Sequence, residues 1–113
     1  MNQLLESNVR LENGTAVINL VGEINATAED ALNTAYSAAE KGDPSAILLD
    51  FKNVNYINST GIALIVSLLA QARKSHRRMM VCGLSEHYQE IFRITRLSDF
   101  MQIYSDERSA LSG

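Results

Sequence analysis

A single cysteine, Cys82, among 113 residues rules out an internal disulfide. The two histidines, His76 and His87, are too far apart to complete a zinc-ligand spacing with it. No apolar run is long enough to cross a bilayer, and the first residues do not read as a cationic, apolar leader. The expectation is therefore a cytoplasmic protein with no membrane partner. Neither sign of charge dominates. Ten Lys and Arg stand against 13 Asp and Glu, for a formal net charge of −3, which supplies no general attraction to nucleic acid or anionic membrane. No internal repeat and no low-complexity segment interrupts the chain. A phosphate-cradling loop is missing as well, since Gly61 stands without a second glycine or a following lysine. Ser59, His76, His87 and Asp50 supply the residue types of a hydrolytic triad. Yet no G-x-S-x-G elbow surrounds Ser59, and nothing brings a histidine to it. The residues thus point to a non-enzymatic protein needing no cofactor and no metal.

What is present is apolar sequence in short, punctuated blocks. At 46% apolar residues, the length suits one globular domain over residues 1–113 with a single core. Leu4 to Leu11 alternates imperfectly and ends at Asn13-Gly14, a strong two-residue hairpin signal. Thr15 to Ile24 reads as the partner strand, in which Gly22 marks a bulge or a close approach. Thr27 is placed to cap a helix whose Ala31, Leu32, Ala35, Ala38 and Ala39 share a face, and Gly42 and Pro44 stop it. Met79 to Leu84 reads as a buried strand. Ser85 caps a helix with Tyr88, Ile91, Phe92 and Thr95 on one side. Phe100 to Tyr104 is a last short strand, followed by a terminal helix through Leu111. The order β-β-α-β-α-β-α-β-α predicts an α/β domain, a mixed central sheet with helices packed on it and right-handed crossovers between parallel strands.

The chain is organised around Ser45 to Arg73. Ala46 to Phe51 is a continuous apolar run suited to a strand covered on both faces. After the polar connection Asn58-Ser59-Thr60-Gly61 the period changes, and Ile62, Ile65, Val66, Leu69 and Ala72 recur at helical spacing. The small polar residues therefore sit at a helix N-terminus, where unpaired N–H groups and the helix dipole favour negative charge. A hydroxyl there can carry a phosphate without melting the helix. Leu64 and Leu68 make this helix apolar over most of its surface. Such a helix either packs against a neighbouring helix or offers an apolar patch to a partner. Arg73, Lys74, His76, Arg77 and Arg78 follow it. They complement a helix C-terminus, the more ordinary role for such a cluster, and they could also meet phosphate or an acidic partner.

The stretch ILLDFKNVNYINSTGIALIVSLLAQAR resembles the STAS domain of bacterial anti-sigma factor antagonists. The resemblance continues through Val21-Gly22-Glu23-Ile24 and Ile91-Phe92-Arg93-Ile94-Thr95-Arg96-Leu97, in the family's order and spacing, over nearly the whole chain. It implies partner switching. A kinase-type anti-sigma factor phosphorylates the central serine, a serine phosphatase restores it, and only the unmodified form captures the anti-sigma factor. Carried over by position, the phosphoacceptor is Ser59, with Thr60 as second candidate. The expected partner-binding residues are Asn25, Thr27, Asn58, Ser59, Thr60, Gly61, Ile62, Leu64, Ile65 and Leu68. The expected state is a monomer or weak dimer that makes no direct contact with nucleic acid. Two positions depart from the family's usual pattern: Asn58 stands where an aspartate usually precedes the serine, and Asn25 where one commonly follows Gly-Glu-Ile. Asparagine can still cap a helix, but it cannot act as a general base or attract a cation as a carboxylate does. These departures motivate the alternative reading, an unphosphorylated STAS scaffold or accessory subunit of a regulatory or lipid-transport complex.

Overall fold

A computed structural model describes residues 4–112, so residues 1–3 and 113 of the expected single domain lie outside the described residues. Five strands form one sheet in the order β1-β2-β3-β4-β5. They are β1 (Glu6–Glu12), β2 (Thr15–Ile24), β3 (Ala46–Ile57), β4 (Arg78–Cys82) and β5 (Gln102–Tyr104). β1 and β2 are antiparallel across the Asn13-Gly14 turn, both of whose residues have positive φ, and the remaining pairs are parallel. The helices are α1 (Glu29–Glu40), α2 (Ser59–Lys74), α3 (Glu86–Ile94) and α4 (Glu107–Ser112), with single 3₁₀ turns at Ala26–Ala28 and Leu97–Asp99. The expected element order and mixed sheet are both found.

Alternation along the strands divides the side chains between two cores. On one face, Ile18, Leu20, Ile24, Ile47, Leu49, Phe51 and Val81 pack under α1, α2 and α3. The Phe51 and Phe92 rings meet edge to face there, with centroids 6.2 Å apart. The smaller second core, Val17, Ala46, Leu48, Met80 and Cys82, is closed by Ala110 of α4. The buried stripe of α1 differs from the sequence reading. Tyr36 joins Leu32, Ala35 and Ala39 inside, while Ala38 faces solvent, because the helix turns its one large aromatic toward the sheet.

β3 also runs longer than expected. Its polar half, 52–57, pairs only with the end of β2, since β4 stops opposite Asp50. The register between β2 and β3 slips on either side of this arm's start, flanking Gly22. Strands β2 and β3 therefore project past the rest of the sheet and deliver their C-terminal ends side by side.

The second face carries a polar knot that no local pattern announced. Asn19 Nδ2 donates to Asp50 Oδ2 at 3.1 Å and to Glu107 Oε2, while Arg10 donates to Asn19 Oδ1 at 2.7 Å and pairs with Glu107. A hydrogen bond from Asp50 and the Arg10 guanidinium hold the Glu107 carboxyl down to about 2. Burial, and then the neighbouring Glu107, push Asp50 above the ordinary carboxylate range. The Glu107 contribution to stability is complete above its ordinary value of 4.5 and is lost as the pH falls toward about 2. That of Asp50 has the opposite sign: it is complete below the ordinary value of 3.8 and is lost as the pH rises through the raised folded value. Asparagine at this position keeps a donor toward Glu107 at every pH. It gives up the acceptor that Asn19 Nδ2 uses, so Asp50→Asn is expected to change stability more favourably at neutral pH than near about pH 4, by about 1 kcal/mol. Urea midpoints at the two pH values measure this; an equal effect at both would contradict it.

Candidate functional site

The projecting ends of β2 and β3 are each followed at once by a helix, and each junction is closed by an asparagine. Asn58 is the N-cap of α2: its backbone is extended and its Oδ1 accepts from the Gly61 N–H at 2.8 Å, while its carbonyl accepts from Ile62 N at 2.9 Å. Asn25 caps the 3₁₀ turn that leads into α1, with Oδ1 accepting from Thr27 N at 2.9 Å and from Thr27 Oγ1 at 2.6 Å. The expected cap was Thr27; the residue that performs it is Asn25, two positions earlier, because the chain enters α1 through a 3₁₀ turn. An N-cap needs a side-chain oxygen that accepts, which asparagine and aspartate supply alike. Both asparagines thus keep the local geometry and leave out a negative charge. Asn58→Ala is expected to cost about 1 kcal/mol, and Asn58→Asp to be neutral or stabilising by less than about 1 kcal/mol, because the added charge faces the dipole. Thermal denaturation of the two variants decides it; equal losses would show that the cap bond contributes nothing.

The two strand ends are tied directly. Asn58 N donates to the Ile24 carbonyl at 3.2 Å, and Tyr88 of α3 accepts at its hydroxyl from Ile57 N at 2.9 Å, fixing β3 one residue before the cap. Sequence reasoning placed Tyr88 on the inner face of α3 but had no means of finding this partner, which lies 31 residues away. Gly61 fits against Ile24 so closely that an added Cβ would lie 2.0 Å from the Ile24 carbonyl oxygen.

On this frame Ser59 and Thr60 occupy the first turn of α2 and are exposed, with Thr27 exposed on the neighbouring junction and Asn25 and Asn58 half-buried. Ser59 sits where the first N–H groups of a 16-residue helix have no intrahelical partner, so an anion on its hydroxyl meets a favourable field. No acidic residue occupies that first turn. Three expected partner contacts are corrected. Ile65 and Leu68 are 0% and 1% exposed, inside the main core, and Gly61 is buried against β2. Ile62 and Leu64 are half-buried and pack on the same core. The apolar excess of α2 is thus mostly used inside the molecule, because α2 packs against both the sheet and α1. The helix is rotated from the expected stripe toward Gly61, Ile65, Leu68 and Ala72, which leaves Val66 outside. What stays exposed at this end is a small polar surface of Thr27, Ser59 and Thr60, edged by the half-buried Ile62 and Leu64.

Asp50 and Cys82 belong to the opposite face, where burial and the nearby Asp50 push the Cys82 thiol up to about 12. Among the described residues, no group of three or more His, Cys, Asp or Glu could hold a metal ion, and no helix is long and apolar enough to cross a membrane.

The model of the STAS domain matches residues 6–110. The anti-sigma-B factor antagonist of Listeria monocytogenes is 28% identical over 88 residues, which cover 78% of this chain and 77% of that protein. Among solved structures, an anti-sigma factor antagonist from Mycobacterium paratuberculosis superposes with a TM-score of 0.81 at 21% identity, covering 96% of this chain and 92% of its own. The Bacillus cell fate determinant SpoIIAA, in its phosphorylated form, gives a TM-score of 0.71 at 20% identity, covering 94% of this chain and 96% of its own.

Proposed function

The chain belongs to the STAS domain family, and on that premise we propose that it is an anti-sigma factor antagonist, switched by phosphorylation of Ser59. In this reading the unmodified protein docks a kinase-type anti-sigma factor through Thr27, Ser59, Thr60 and the exposed edge of α2. The kinase places a phosphate on Ser59, and a serine phosphatase removes it. Asn25, Asn58 and Gly61 position this surface without being its contact area, and the protein itself performs no catalysis. The observation that carries the reading is the placement of Ser59: an exposed hydroxyl at the start of a long helix, held by a cap and by a close strand contact. The relatives' names supply the partner class.

The test is intact-mass spectrometry of the protein from its native cells, with fragmentation across Asn53 to Arg73 and a Ser59→Ala strain as control. A phosphate localised to Ser59 is the expected result, together with recovery of an anti-sigma factor by the unmodified form alone. Repeated absence of phosphate with full peptide coverage would favour the unphosphorylated scaffold, a reading to which the two uncharged caps, Asn25 and Asn58, already lend weight.

A further inference from the structure

The far end of α2 carries a second exposed surface. A groove of about 670 Å³ runs between the C-terminal half of this helix and the turn after α3, with Val66, Leu69, Leu97 and Phe100 among its lining residues. A second hollow, of about 530 Å³, adjoins it and shares Leu69, Arg73 and Phe100. Apolar surface is left open here: Val66 is 42% and Phe100 53% exposed, and the Arg73 guanidinium lies 5.0 Å over the Phe100 ring. The charge around these hollows runs against the composition of the chain. Arg73, Lys74, Arg77, Arg78 and Arg96, half of the ten Lys and Arg residues, line them, and Asp99 is the one carboxylate that does. Arg77 is neutralised by Glu40 and Asp43, and Arg96 by Asp99. Among the described residues, Arg73, Lys74 and Arg78 have no carboxylate partner.

We propose that this groove seats an acidic amphipathic helix of a protein partner, its apolar side against the exposed Val66 and Phe100, over the buried Leu69 and Leu97, and its carboxylates toward Arg73, Lys74 and Arg78. The open, half-exposed walls cannot enclose most of a small molecule. The apolar floor flanked by cations matches the helix-in-groove mode, with charge complementarity setting orientation and encounter rate. Along α2 the groove begins at Val66, about 10 Å from Ser59, and ends at Lys74, about 22 Å away; its residues do not include Ser59, so the inference does not rest on the phosphorylation reading.

The test is amide-shift mapping of the full ¹⁵N-labelled chain. It is titrated with a synthetic helical peptide of about 18 residues, Leu and Ala on one face and Glu on the other, and with a matched peptide carrying Lys for Glu. Phosphatidylglycerol vesicles are the third probe. The expected result is binding of the Glu peptide alone, with shifts at Val66, Ala70, Arg73, Arg96 and Phe100 and none at Ser59. Its affinity should fall at least about tenfold in Lys74→Glu and in Phe100→Ala, both at exposed positions, and several-fold as salt rises from about 50 to 300 mM. Equal binding of the Lys peptide, shifts centred on Ser59, binding of vesicles only, or no binding by any probe would each overturn the proposal. So would concentration-dependent shifts of these residues without peptide, which would mean a second copy.

Discussion

Gly61→Ala is expected to destabilise the fold by at least about 3 kcal/mol, although replacing glycine by alanine inside a helix normally gains about 1 kcal/mol. The close approach to β2 decides the sign. A Cβ at this position would stand 2.0 Å from the Ile24 carbonyl oxygen and 2.8 Å from its carbon, both backbone atoms. That carbonyl cannot turn away, since it accepts from Asn58 N at 3.2 Å, and Asn58 in turn holds Gly61 N. Relief requires the N-terminal turn of α2 to lift off β2, which breaks the cap and opens the core beneath Ile65 and Leu68. Denaturant midpoints measure the loss. The control is Ala63→Gly at an exposed site in the same turn, expected to cost only about 1 kcal/mol from propensity. A Gly61→Ala protein as stable as the parent would refute the packing argument.

Wherever local chemistry is decisive, the fold could be read in advance. The Asn13-Gly14 turn, the period change across Asn58 to Gly61 and the Ser85 cap all stand where the residues put them. Gly22 marks a real break in strand register. Apart from the cap, which the 3₁₀ turn moves from Thr27 to Asn25, the readings that failed depend on partners distant in sequence. Residues 52–57 are too polar to announce a strand, and they form one only because β2 extends beside them. The face of α2 was misjudged at Leu68 because a helix packed on both a sheet and a neighbour buries a wider arc than periodicity indicates. The knot of Arg10, Asn19, Asp50 and Glu107 joins four elements, and no spacing in the chain points to it. At the candidate site the sequence reading named Ser59, Asn58 and Asn25, which stand at the two neighbouring strand-to-helix junctions. The structure adds that Gly61 and Tyr88 are what hold that surface in place.

Phosphorylation of Ser59 is expected to weaken docking of the anti-sigma factor by at least about 100-fold, equivalent to about 2.7 kcal/mol, while leaving the fold intact. Within the domain the added charge, about −1.5 to −2, meets the unpaired N–H groups of the first turn of α2, a contact worth about 0.3–1 kcal/mol in favour of the phosphorylated state. The uncharged caps Asn25 and Asn58 add no repulsion to it. Docking against a surface that accepts the neutral serine would strip the same group of its hydration, which costs several times more than the dipole returns. In the proposed reading the switch is therefore a blocked contact, and the loss falls on the complex. Ser59→Asp, carrying about one charge, should show the same pattern in weaker form: calorimetry should record a drop in affinity of at least about tenfold, with circular dichroism and melting temperature unchanged. Ser59→Ala should retain binding. Thr60→Asp, one residue along the same exposed turn, should also interfere, because the block comes from charge on the docking surface and not from the identity of the acceptor. Loss of helical signal in Ser59→Asp would mean that the charge acts on α2 itself, and unchanged affinity would mean that the anti-sigma factor docks elsewhere.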